Sequence, residues 1–243
     1  MSHQPTAILT DATHFVGDAI AVRLANDGYA VYATDAAFHD AQRRADFEAL
    51  GDGITALEEL SAADVCAHVE SLHGHIALLV GNDAWPAVRA PLDEISSVML
   101  HETFEALVFK PFAFATEAAK RMKPHCEGKI IFITSAAPLN GLPNYSVYCA
   151  ARGAMNMAAK ALAKELGPFN VQVNAIAPNF IANPDYFPPA LMDDPDKAAK
   201  VLKNIPMGRL GRPEEVAGMV AQLASEDGGF FTGQIIAASG GWA

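Results

Sequence analysis

The stretch ITSAAPLNGLPNYSVYCAARGA sets three reactive side chains at fixed spacing. Ser135 closes an apolar run, Tyr148 follows thirteen residues later, and Arg152 comes four residues after that. On a helix, Tyr148 and Arg152 at i and i+4 share one face. A phenol has a reference pKa near 10, so it acts as a base near neutrality only when its anion is favoured. A guanidinium is always charged, and beside a phenol it favours the phenolate. The set reads as a hydroxyl, a potential phenolate base and the cation that supports it.

A second group of residues decides whether a cofactor assists. Residues 6–17 read TAILTDATHFVG, a short apolar strand and a polar turn that lead into the helix AIAVRLANDGYA. Dinucleotides place their pyrophosphate on the helix N-terminus at such a turn. Glycines there let the backbone turn tightly and come close to the phosphates. Here Asp11 brings a carboxylate that repels phosphate, and Phe15 fills the space with a benzyl group. The turn has the form of a dinucleotide site that has been blocked.

The elements that must position these groups alternate along the chain. Strands are expected near 6–10, 30–34, 54–57, 76–81, 129–134, 171–176 and 234–238, short and rich in Ile and Val. Helices are expected near 17–27, 40–50, 61–73, 93–123, 145–167, 195–204 and 213–225. This is the pattern of an α/β fold: one Rossmann-like domain over residues 1–243, a doubly wound parallel sheet of about seven strands. Right-handed crossovers put helices on both faces. The segment 177–195, APNFIANPDYFPPALMDDP, is the one long irregular piece. Its five prolines and its aromatics suggest an ordered loop over the carboxyl edge of the sheet, where ligands bind in such folds.

Composition narrows the partners. A net charge of -11 argues against non-specific nucleic-acid binding and against an anionic membrane surface. There is no apolar run of the length a membrane span needs, and MSHQPTA has no basic-then-apolar signal. Cys66, Cys126 and Cys149 are far apart and odd in number, so a reducing cytoplasm is the expected location. His73-Gly-His75 has no third ligand nearby and is expected to be a solvated turn, with no metal.

With these residues in hand, nearly the whole chain resembles the short-chain dehydrogenase/reductases. That family has Ser with Tyr-x-x-x-Lys; Arg152 stands in place of the Lys, which in the family also grips the ribose of a nicotinamide cofactor. Its turn is Thr-Gly-x-x-x-Gly-x-Gly; Thr10 and Gly17 match, while Asp11 and Phe15 replace two glycines. GNDA at 81–84 stands for its Asn-Asn-Ala-Gly, and NAIAPNF at 174–180 carries Asn179 where the family has Gly. MGRLGRPEEVAGMVAQLAS and FFTGQIIAASGG are similar to its last helix and strand. The family's helical Asn has no counterpart, its place lying near Leu107, and a cofactor-contacting Thr is replaced by Asn183.

Taken together, these departures resemble one branch, the halohydrin dehalogenases, whose Thr-x-x-x-x-Phe-x-Gly opening is matched by Thr10, Phe15 and Gly17. The resemblance implies an enzyme without a nucleotide cofactor that closes vicinal haloalcohols to epoxides, releasing halide and a proton. Tyr148 would be the base, Arg152 would favour its phenolate and Ser135 would orient the substrate oxygen. Asp83 at the end of the fourth strand would either cap that strand or hold Arg152 and relay the proton. Pro178, Asn179, Phe180 and Ile181, with Phe15, Phe187 and Leu142, would form the halide and substrate pocket. Reversal would open epoxides with azide, cyanide or nitrite. The branch also implies a homotetramer, and the C-terminal Trp242 is expected to reach a neighbouring subunit. Two other readings share the scaffold. One is a divergent NAD(P)-dependent reductase, supported by Asp35 at the end of the second strand, which is otherwise a helix cap. The other is a non-catalytic binding protein.

Overall fold

The computed structural model describes residues 4–243, so the first three residues of MSHQPTA, read above for an export signal, lie outside the described residues. In chain order the elements are β1 (Thr6–Thr10), α1 (Gly17–Asn26), β2 (Ala30–Asp35), α2 (Ala41–Glu48), β3 (Ile54–Glu58), α3 (Ala62–His73) and β4 (Leu78–Gly81). Next come α4 (Ser97–Phe104), α5 (Lys110–His125), β5 (Gly128–Ile133), α6 (Ala137–Asn140), α7 (Ser146–Leu166) and β6 (Val171–Pro178). The chain ends with α8 (Pro189–Met192), α9 (Pro195–Leu202), α10 (Pro213–Ala224) and β7 (Ile235–Ala238). All seven strands pair in parallel in one sheet, ordered β3-β2-β1-β4-β5-β6-β7.

β1, β2, β4 and β6 are buried along their whole length, as apolar strands covered on both faces must be. Successive side chains alternate between two cores. Ile8 joins Leu79, Ile130 and Phe132 under α3, α5 and α7, and Ala7 and Leu9 join Val31 and Ile131 under α1 and α10. Helices on both faces confirm the doubly wound sheet read from the sequence.

Strand order reverses between β1 and β4, so the crevice at their carboxyl ends is where this architecture places ligands. The side chain of Asn82, just past β4, donates to Asp11 O and His14 O and ties the β1–α1 turn to that edge.

One element differs from expectation. The helix expected over 93–123 begins at Ser97, capped by the Ser96 side chain, which accepts the Met99 N–H. It then passes through one π-helical segment, Glu105–Phe109, before continuing as α5. The extra residue in that turn places Leu107 fully in the core.

Candidate active site

A cavity of about 1490 Å³ runs along the carboxyl edge of the sheet, and all eleven residues singled out above line it. Ser135 and Asp83 come from the ends of β5 and β4, Tyr148 and Arg152 from one face of α7, and Phe15 from the β1–α1 turn. Leu142 precedes α7, and Pro178, Asn179, Phe180, Ile181 and Phe187 come from the end of β6 and the loop beyond it.

On α7 the guanidinium carbon of Arg152 lies 5.4 Å from the centroid of the Tyr148 ring. Only 7% of Arg152 is exposed; its Nη1 donates to Ile133 O at 3.1 Å. Its Nε is buried with no partner among the described residues. Ser135 is buried, and its Oγ accepts the Ala137 N–H at 3.0 Å, so its own O–H remains available as a donor.

Asp83 is buried and accepts from Thr10 Oγ1 at 3.2 Å. Burial, with a smaller push from Asp11, raises its carboxyl from 3.8 to about 7; Lys110, Arg152 and the Thr10 hydrogen bond oppose the rise. The direct hold of Asp83 on Arg152 read from the sequence is not the bond that forms. Thr10 takes the carboxylate and Ile133 O takes the guanidinium, so the two charges act on each other through space.

The β1–α1 turn keeps a glycine's backbone without the glycines. Asp11 has φ 44 and Phe15 has φ 53, in the left-handed region that costs a side chain of order 1 kcal/mol or more. Contacts hold them there. The Asp11 carboxylate accepts the Ala84 N–H at 2.9 Å and the Lys110 ammonium at 2.5 Å, and Lys110 also reaches Glu59 at 3.0 Å. Gly17 is the glycine that could not change, since a Cβ there would stand 2.1 Å from Ala12 O. Asp35 accepts Thr13 N–H and Oγ1 on one oxygen and the Ala37 N–H on the other, so the capping reading of that residue is the one observed.

The loop after β6 is also left-handed at its key residue, Phe180, with φ 56. Asn179 N–H bonds Ala238 O, Phe180 N–H bonds Asn179 Oδ1, and Ala182 N–H bonds Gly211 O. The Ile181 N–H between them has no acceptor among the described residues. The Phe187 ring lies 6.1 Å from that of Phe180, and the Trp242 ring meets Phe180 edge-on at 5.7 Å. Within its own chain Trp242 packs on the loop after β6, with its carbonyl accepting from Asn140 Nδ2 at 2.7 Å. Asn183 shapes the same loop, donating to Ile181 O and accepting the Tyr186 N–H. Away from this edge, His73 Nε2 lies 2.6 Å from Tyr32 Oη, and the His75 ring packs on that of His125.

Sequence reasoning missed four contributors to this edge. Lys110, a lone cation in the apolar run VFKPF, gave only that signal. Trp85 lines the cavity, and its carbonyl accepts from Tyr186 at 3.4 Å, which joins the two loops over the mouth. Thr134 and Asn156 bind each other behind Ser135.

A family model described as enoyl-(acyl carrier protein) reductase matches residues 12–243. An uncharacterized oxidoreductase of Methylorubrum extorquens is 32% identical, over 97% of this chain and 96% of its own. A solved structure described as a dehalogenation enzyme is 37% identical with a TM-score of 0.93, covering 99% of this chain and 98% of the other. A halohydrin dehalogenase bound to ethyl (2S)-oxiran-2-ylacetate is 35% identical with a TM-score of 0.92, covering 97% and 96%.

Proposed function

The chain belongs to the short-chain dehydrogenase/reductase family and resembles its halohydrin dehalogenases, and from that premise we propose that it is a cofactor-independent halohydrin dehalogenase. The observation that carries the reading is the β1–α1 turn. Asp11 and Phe15 occupy left-handed glycine positions there, while Ser135, Tyr148 and Arg152 still line the same cavity. A nicotinamide dinucleotide does not fit these residues. The carboxylate of Asp11 and the ring of Phe15 stand in the pyrophosphate turn, where the backbone would have to approach the phosphates.

The haloalcohol hydroxyl gives its proton to the Tyr148 phenolate. Its oxygen forms a bond to the neighbouring carbon as the carbon–halogen bond breaks, leaving an epoxide and a halide ion. Ser135 donates to the substrate oxygen and fixes its direction. The Arg152 cation lies 5.4 Å from the centroid of the Tyr148 ring and holds the end of β5 beside it, and Asp83 gives the proton a polar route outward. The unpaired Ile181 N–H and the ring edges of Phe15, Phe180 and Phe187 receive the halide, and fixed donors in a dry site act strongly on developing charge. Run backward, the same site opens epoxides with small anions.

The rest of the reading concerns assembly and location. We take it to be a cytoplasmic homotetramer built through α5 and α7, whose outward faces expose Phe112 (38%) and Met157 (54%). Cys66, Cys126 and Cys149 are free thiols, and among the described residues no helix is long and apolar enough to cross a membrane.

The test is halide release from a vicinal bromo- or chloro-alcohol by purified protein, with and without NAD(H) or NADP(H). Release without nucleotide, matched by epoxide, is the expected result. The oxidoreductase description of the Methylorubrum relative favours a second reading, a divergent reductase; nucleotide binding with no halide release would select it.

A further inference from the structure

The end of β5 is gripped from α7 at three successive residues. Arg152 Nη1 donates to Ile133 O at 3.1 Å. Thr134 Oγ1 donates to Asn156 Oδ1 at 2.6 Å, and Asn156 Nδ2 donates to Ser135 O at 3.2 Å. Asn156 stands one turn beyond Arg152 and two beyond Tyr148, so the three share a face of the helix. It is 1% exposed, and its amide accepts from one residue with its oxygen and donates to the next with its nitrogen.

The grip falls where the sheet stops guiding the chain. The β5–β6 ladder ends at the pair Ile133↔Ile176. Past it, Thr134 N bonds Ile176 O and Ala136 N bonds Pro178 O, ties that fix the strand to β6 but not to the helix bearing Tyr148. Among the described residues, only the Asn156 amide joins the Ser135 main chain directly to α7.

We propose that Asn156 is a positioning residue that sets where the Ser135 hydroxyl stands relative to Tyr148. What Ser135 does rests on the dehalogenase reading; that Asn156 places it does not. Asn156 touches no reacting atom. It acts through Ser135, and its removal lets the strand end move while Tyr148 and Arg152 stay on their helix. A displacement of about 1 Å in such a group is enough to cost roughly 10²-fold in rate.

Three variants separate positioning from mere support. Asn156→Leu keeps the branched shape and loses both hydrogen bonds. Asn156→Asp keeps the acceptor for Thr134 and loses the donor to Ser135. Thr134→Val loses the bond to Asn156 Oδ1 and the Thr134 Oγ1 contact with Ile176 O, and keeps the bond from Asn156 to Ser135 O. The first measurement needs no substrate: amide hydrogen exchange over residues 133–137, compared with α10 in the same sample. We expect Asn156→Leu to speed exchange in 133–137 about tenfold or more with α10 unchanged, and Thr134→Val to do less. Unchanged exchange at 133–137 overturns the proposal. The Leu variant carries this test if the buried Asp charge prevents folding.

The second measurement is a double-mutant cycle on kcat for halide release. Asn156→Leu should lower kcat about tenfold or more in the parent and add little in a Ser135→Ala background. Equal losses in both backgrounds also overturn the proposal, because support of the fold does not pass through Ser135. If the parent protein releases no halide, the dehalogenase reading fails, and the exchange measurement still decides the role of Asn156.

Discussion

Replacing Tyr148 by Phe removes one oxygen and keeps the ring that faces Arg152. We expect kcat for epoxide formation to fall by about 10²-fold or more, the usual range for a lost general base, with little change in thermal midpoint. Retained turnover would exclude Tyr148 as the base. Asp83 makes a different prediction. Its carboxyl is raised from 3.8 to about 7, chiefly by burial, so between those values the folded state holds more protons than the unfolded one. Its contribution is therefore most favourable at low pH and is lost as pH rises through about 7, with an upper bound of ~4 kcal/mol. Asp83→Asn, which can still accept from Thr10, should raise the thermal midpoint near pH 8 and leave it nearly unchanged near pH 4. An equal gain at both ends would mean that the charge is not buried in solution. Ser135, Tyr148 and Arg152 were legible in the sequence because their types and spacing are constrained together. The partners of Arg152 and Asp83 were not, since both depend on which backbone oxygen and which hydroxyl the neighbouring strands present.

The β1–α1 turn carries the argument about cofactors. Reverting it with Asp11→Gly and Phe15→Gly together removes the carboxylate, frees Lys110 and the Ala84 N–H, and opens the space beneath the ring. We expect the double variant to bind ADP at least about tenfold more tightly than the parent, a difference of ~1.4 kcal/mol, by calorimetry. Equal affinity would show that these two side chains are not what keeps nucleotides out. The turn was readable because glycine's absence at a phosphate turn has a steric meaning. All seven strands were readable too, as apolar runs of the right length between helical stretches. The π-helical segment at Glu105–Phe109 was not, because the apolar pattern runs through it unbroken and Pro111, the one local mark, lies just beyond it at the start of α5. Asn156 was missed for a related reason. An Asn inside a helix is unremarkable until the end of β5 is known to lie beside it.

At the level of the whole molecule, the exposed apolar faces of α5 and α7 make the subunit assembly testable. Light scattering should give about four chain masses, and Phe112→Arg should shift it toward smaller species by burying a charge in a helix–helix contact. A monomeric parent would remove the tetramer from the proposal. The cavity has a consequence of its own. At about 1490 Å³ it exceeds the ~300–1,000 Å³ typical of small-molecule pockets, and the reacting groups sit toward one end. Leu60, Ser61 and Phe109 also line it, on the β3 side of the sheet edge and away from the end of β5. Side chains there can be rebuilt without touching Tyr148 or the loop after β6. An effort to adapt the protein to bulkier substrates would begin on that side of the cavity, leaving Ser135, Tyr148 and Arg152 as they stand.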